Sequence, residues 1–146
     1  MKEIKFYNLS KKNKDFEKDF IKSFKKINFR GRYIRGNYVE KFEKNFAKFC
    51  KAKYCVAVGN GFDALKLSFM AFKINKKLKD GDEVLVPANT YIASVLSIVA
   101  ANLKPVFVEP DQDTFNISVN HILKKLSKKT KAILAVDLYG HPADLL

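Results

Sequence analysis

The 146 residues suffice for one ordinary domain. A hydrophobic content of 47% excludes a disordered chain. The net charge of +13 raises nucleic acid or an anionic membrane as partners, but the three arginines all fall between Arg30 and Arg35, and the remaining cations are lysines strewn along helical patterns, the habit of a solvated face.

The opening MKEIKFYNLS lacks the apolar core of a signal peptide. Asp15 to Ile27 places Phe16, Phe20, Phe24 and Ile27 on one helical face. FRGRYIRG, residues 29–36, reads as a loop punctuated by Gly31 and Gly36. Asn37 reads as an N-cap, and Val39, Phe42, Phe46 and Phe49 then mark a second amphipathic helix. Cys50 falls at its end and Cys55 in the next strand; two cysteines make no disulfide framework, so both are expected as buried free thiols.

Tyr54 to Val58 is a short apolar run that suits a strand buried on both faces. Gly59-Asn60-Gly61 breaks it, and a helix is predicted from Phe62 to about Lys73. Residues 79–82 form a turn, Glu83 to Val86 a second strand stopped by Pro87, and Tyr91 to Asn102 a helix. Pro105 to Glu109 is a third strand, Val119 to Ser127 a helix, and Ala132 to Val136 a fourth strand. Strands alternating with helices predict an α/β fold with a mainly parallel sheet. The longest apolar stretch, Tyr91 to Leu103, is too short to span a bilayer, so a cytoplasmic protein with no membrane partner is expected. There is no internal repeat, and the chain stops two residues into a helix that Asp144 would start; the unit is expected to be truncated, with an open sheet edge.

Three strand ends carry chemistry. At 59–65, GNGFDAL, free backbone N–H groups and a helix dipole would make an anion site that glycines let a phosphate approach. It is neither a P-loop nor a dinucleotide fingerprint, and an ordinary strand-to-helix turn is the alternative. The Asp63 carboxylate must point away from any anion, leaving its own N–H to serve it. At 86–91, VPANTY, Tyr91 is placed to stack on a planar ring; the alternative is a core tyrosine. At 136–141, VDLYGH, Asp137 and His141 offer a carboxylate and an imidazole for acid–base work, or an inert surface pair. His121 sits among lysines and is expected to be inert. No cluster has metal-ligand spacing, and GxSxG is absent.

These loops recur together in one family. Residues 31–67 (GRYIRGNYVEKFEKNFAKFCKAKYCVAVGNGFDALKL), 78–94 (LKDGDEVLVPANTYIAS), 109–118 (EPDQDTFNIS) and 131–145 (KAILAVDLYGHPADL) resemble the DegT/StrS sugar aminotransferases, in order and with fitting gaps. That family uses pyridoxal 5′-phosphate (PLP) on a fold-type I scaffold. Segment 81–94 (GDEVLVPANTYIAS) is most similar to members that aminate nucleotide-linked 3-keto-6-deoxyhexoses. The resemblance implies that residues 1–36 form an N-terminal helix and entrance loop and 37–146 the first part of the PLP-binding large domain, without the small domain. It implies that the backbone of Gly61, Phe62 and Asp63 binds the cofactor phosphate and that Tyr91 stacks on the pyridine. Gly31 and Tyr33, with Gly36, would lie near the substrate. It further implies a nucleotide-linked keto sugar as substrate, glutamate as amino donor, and a homodimer at full length. Two departures stand out. Asp137 replaces the histidine of the family's VHLYG, and neither the Schiff-base lysine nor the carboxylate that pairs with the pyridinium nitrogen occurs in this chain. No catalytic residue is therefore assigned, and these residues alone are expected to be inactive. The readings that compete are a non-catalytic fragment or pairing partner of an aminotransferase and, remotely, a basic nucleic-acid-binding protein.

Overall fold

A computed structural model describes residues 8–144. Residues 1–7 and 145–146, which hold most of the stretch read for a leader and the end of the last motif, lie outside the described residues. The chain divides into two compact units, residues 1–57 and 58–146.

The first unit is helical. α1 spans Leu9–Lys14, capped by the Asn8 side chain on the Lys11 N–H, and α2 spans Glu17–Arg30. The single helix expected from Asp15 is therefore entered at Phe16, which becomes the N-cap, and it runs three residues past Ile27. Gly31 ends α2 with φ of 63°, a left-handed C-cap that glycine adopts without strain. α3 spans Asn37–Phe49. Its N-cap is Gly36, not Asn37: Gly36 holds the extended conformation and its carbonyl accepts from the Val39 N–H at 2.9 Å, so Asn37 is already helical. Phe42 and Phe46 stack one turn apart at 5.4 Å.

The expected first strand, Tyr54–Val58, does not form. A strand exists only by pairing, and no described strand lies beside this one. The Ala57 N–H donates instead to the Glu43 carboxylate at 2.8 Å, and Val56 is left 77% exposed. The buried thiols are not found either: Cys50, at the C-cap of α3, is exposed and Cys55 is half-buried.

The second unit is the α/β layer. α4 spans Gly61–Ile74, β1 Glu83–Pro87, α5 Ile92–Ala100, β2 Lys104–Val108, α6 Val119–Lys125 and β3 Thr130–Ile133. The sheet has three strands in the order β2-β1-β3, with both neighbours parallel to β1. All five β1 residues are buried. Val84 and Val86 face a core that holds Phe69 of α4 and Ile98 of α5. Leu85 points to the opposite face, against Val108 and Ile117, with Ile122 of α6 packed on them. A strand covered on both faces reads as unbroken apolar sequence rather than as alternation, and β1 is that strand here.

The amino edge of the sheet is held by charge. Glu83, buried, accepts from the Ser127 hydroxyl at 2.6 Å and from Lys104 at 3.1 Å. The Ser127 hydrogen bond, then that of Lys104, keeps its carboxyl below the usual range. Lys73 donates to the Ala101 carbonyl at 2.9 Å and pairs with Asp80, tying the end of α4 to the end of α5. No helix among the described residues is long and apolar enough to cross a membrane.

Candidate functional site

Parallel strands end on one edge, so the segments after β1, β2 and β3 all emerge there. β1 leads into α5 on one face of the sheet and β2 into α6 on the other. Where neighbouring strands send their connections to opposite faces, a crevice opens beyond the carboxyl ends. α4 points its start to the same edge. Its C-terminal Lys73 touches Ala101 at the end of α5. Gly61 lies about 18 Å back along α4 and Ile92 about 14 Å back along α5 at helical rise. The two N-termini, with their unpaired N–H groups and positive dipole ends, are thus level with the ends of the strands.

The start of α4 has a defined cap. Asn60, in extended backbone, accepts the Asp63 N–H on its side-chain oxygen at 2.9 Å, and its carbonyl accepts the Ala64 N–H at 3.0 Å. The Asp63 N–H, expected to serve an anion, is consequently engaged by the cap. The Asp63 carboxylate folds back toward Gly59: a Cβ on Gly59 would sit 2.9 Å from its Oδ2. The N–H groups of Gly61 and Phe62, the first two helical positions, have no intrahelical acceptor. A Cβ on Gly61 would meet nothing within 4 Å, so the space before the first turn is open. Two N–H groups, a helix dipole and an open approach fit a phosphate.

Tyr91 is the N-cap of α5, with extended backbone, and is 77% exposed in this chain. Thr90 and Ser94 hydroxyls lie 2.9 Å apart beside it. Gly31 and Tyr33 belong to the first unit, where the Tyr33 hydroxyl donates to Asn28 Oδ1 at 2.8 Å.

The three carboxyl-edge loops are stitched by two asparagines that sequence reasoning did not single out. Asn89, after β1, donates to the Phe115 carbonyl, after β2, at 2.9 Å. Asn116, 3% exposed, donates to the His141 and Pro142 carbonyls at 3.0 Å each, and its oxygen accepts the Leu138 N–H at 3.2 Å. A buried amide with a single surface-like sequence neighbourhood gives no periodic signal; only the fold shows what it holds. Asp137 has a backbone partner as well, its Oδ1 accepting the Ala143 N–H at 2.9 Å. Asp111 caps its own turn, and the N–H groups of Thr114 and Asp113, each at 3.0 Å, hold its carboxyl below the usual range. His121 stands 3.4 Å from the Glu109 carbonyl. No group of three His, Cys, Asp or Glu side chains suited to a metal occurs among the described residues.

Comparison with known proteins agrees with this architecture. The family model of the DegT/DnrJ/EryC1/StrS aminotransferases matches residues 14–146. The chain is 44% identical over 142 residues to a dTDP-3-amino-3,6-dideoxy-alpha-D-galactopyranose transaminase of Aneurinibacillus thermoaerophilus, covering 97% of this chain and 38% of that protein. Among solved structures, Streptomyces venezuelae DesV in complex with a ketimine intermediate superposes with a TM-score of 0.89 at 35% identity, over 99% of this chain and 38% of that one. An E. coli GDP-4-keto-6-deoxy-D-mannose-3-dehydratase with bound hydrated PLP superposes at 0.78 and 33% identity, over 84% of this chain and 32% of that one. The chain therefore spans 32–38% of the length of these relatives, and its fold is the corresponding part of a fold-type I PLP enzyme. With the match running from residue 14 to residue 146, the chain belongs to the DegT/DnrJ/EryC1/StrS aminotransferase family.

Proposed function

We propose that the protein of which these residues are a part is a PLP-dependent aminotransferase that moves an amino group from glutamate to a nucleotide-linked keto-deoxy sugar, working as a homodimer. The observation that carries the reading is the start of α4: two N–H groups without internal acceptors, at Gly61 and Phe62, on the sheet edge that also carries the exposed ring of Tyr91.

The residues divide the work. Gly61 and Phe62 donate to the cofactor phosphate at the positive end of α4. Asn60 fixes that first turn by capping Asp63, and the Asp63 carboxylate, turned toward Gly59, leaves the approach free of like charge. Tyr91 covers one face of the pyridine ring and orients it. Asn89 ties the loop after β1 to the loop after β2, and Asn116 ties the loop after β2 to the corner after β3. Gly31 and Tyr33, in the first unit, are assigned to substrate binding on the family resemblance alone. The cofactor, when bound, supplies the electron sink for moving the amino group. No lysine of this chain is assigned as its covalent anchor.

The test uses the full-length protein. It is expected to show a visible absorption band of bound PLP and to form glutamate-dependent amino sugar from a dTDP- or GDP-linked keto-deoxyhexose, followed by mass spectrometry. A well-folded protein with neither property would refute the reading. Phe62→Pro, which removes one of the two phosphate-facing N–H groups at a first-turn position where proline is tolerated, is expected to weaken PLP binding roughly tenfold.

A further inference from the structure

Tyr139 is an anomaly at the carboxyl edge. It has φ of 55° and ψ of 21°, a left-handed backbone that is a genuine outlier for a bulky residue. Its side chain is 92% exposed, so no packing within the unit offsets the strain. The strain is imposed by the surroundings. Asn116 grips the backbone on both sides of Tyr139, through Leu138 before it and His141 and Pro142 after it, and Asp137 ties the Ala143 N–H. Four hydrogen bonds, three of them to one buried side chain, hold this corner closed. Backbone strain that the surroundings enforce clusters at active sites and ligand clamps.

The corner's position narrows the ligand. β3 lies next to β1 in the sheet, with Leu85 opposite Ile133 and the Leu134 N–H on the Leu85 carbonyl. Residues 137–140 therefore leave the sheet beside the loop that carries Tyr91. We propose that Tyr139 is a specificity-determining residue of the site, contacting the sugar ring of the nucleotide-linked substrate, and that Asn116 is the positioning residue that presents it. The proposal rests on the aminotransferase reading above. A tyrosine suits a hexose: its ring packs on the apolar C–H face and its hydroxyl serves a sugar hydroxyl.

The experiment is calorimetric titration of the full-length PLP-loaded protein with dTDP-glucose and GDP-mannose, and with dTDP and GDP alone, beside PLP titration by absorbance and thermal melting. For Tyr139→Ala, binding of the nucleotide sugar that the wild type prefers falls roughly tenfold, the size of one lost aromatic contact, while its free nucleotide and PLP bind within about twofold of wild type. Tyr139→Gly shows the same loss with an unchanged or raised melting midpoint, since glycine relieves the left-handed strain. Asn116→Ala reproduces the selective loss, and Asn116→Ala combined with Tyr139→Ala adds nothing to it. Unchanged nucleotide-sugar affinity in Tyr139→Ala overturns the proposal, as does a lowered melting midpoint in Tyr139→Gly, which would make Tyr139 a packing residue. So does a wild type that binds PLP and neither nucleotide sugar. A wild type without PLP refutes the aminotransferase reading itself, and the two failures are thereby told apart.

Discussion

Glu83 and Asn60 are the residues whose roles can be tested without any cofactor. Glu83 has its folded-state pKa lowered, first by the Ser127 hydroxyl and then by Lys104. A lowered folded value means that its stabilising contribution is complete above the ordinary carboxylate range and is lost as pH falls through the folded value. Urea unfolding followed on the acid side of neutrality is expected to show stability dropping below about pH 4.5, and Glu83→Gln is expected to flatten that slope. An equal acid slope in the variant would move the effect elsewhere. Asn60→Ala removes the α4 cap and is expected to cost about 1 kcal/mol in urea unfolding. Its freed Asp63 N–H is the reason that PLP affinity in the full-length variant is expected to fall less than for a lost phosphate donor. At this scale the sequence was legible where local rules act alone. Gly59 and Gly61 at the entry to α4, and Tyr91 at the start of α5, stand at helix starts that punctuation marks by itself. It was silent where a side chain acts at a distance: Asn116 reaches residues more than twenty positions away in the chain.

Among the elements, β1 carries the unit. Leu85 is fully buried in the face opposite Val84 and Val86, so truncation opens a cavity between the sheet and α6. Leu85→Ala is expected to lower stability by about 2–5 kcal/mol, measured by denaturant unfolding, which for a unit of this size approaches complete loss of fold. A drop under 1 kcal/mol would show that the sheet is not the core. Helix periodicity located α2 through α6 to within a few residues, because the apolar stripe of a helix is a local code. The strand readings were less even. Residues 83–87, 104–108 and 130–133 pair as parallel neighbours, each near its expected place. Residues 54–58 have the same apolar texture and no ladder, since pairing is decided by what lies beside a strand and composition says nothing of that.

For the whole molecule the governing quantity is charge. At +13 over 146 residues the compact state repels itself, and added salt screens that repulsion within a Debye length of about 10 Å at 0.1 M. The melting midpoint of the chain is expected to rise between low and physiological ionic strength, with no such rise if lysine charges are already paired. Two salt bridges, Lys73–Asp80 and Lys104–Glu83, occur among the described residues, so the repulsion is largely unrelieved there. The division at residues 57 and 58 leads to a further expectation. Residues 58–146 made alone should keep slow hydrogen exchange at the β1 amides, because both faces of β1 are covered from within that unit. Rapid exchange would show that the first unit is required.

The sequence by itself determined the α/β class, the alternation of helix and strand from α4 onward and the family, because hydrophobic period, turn residues and ordered loop motifs are written along the chain. It also placed Gly61 and Tyr91 at element starts. Only the tertiary structure decided which apolar run became the central strand and which stayed unpaired. It also decided that Asn60 claims the Asp63 N–H and that Asn116 locks a strained Tyr139 at the sheet edge. These outcomes depend on contacts between residues far apart in sequence, and such contacts exist only once the strands have chosen their neighbours.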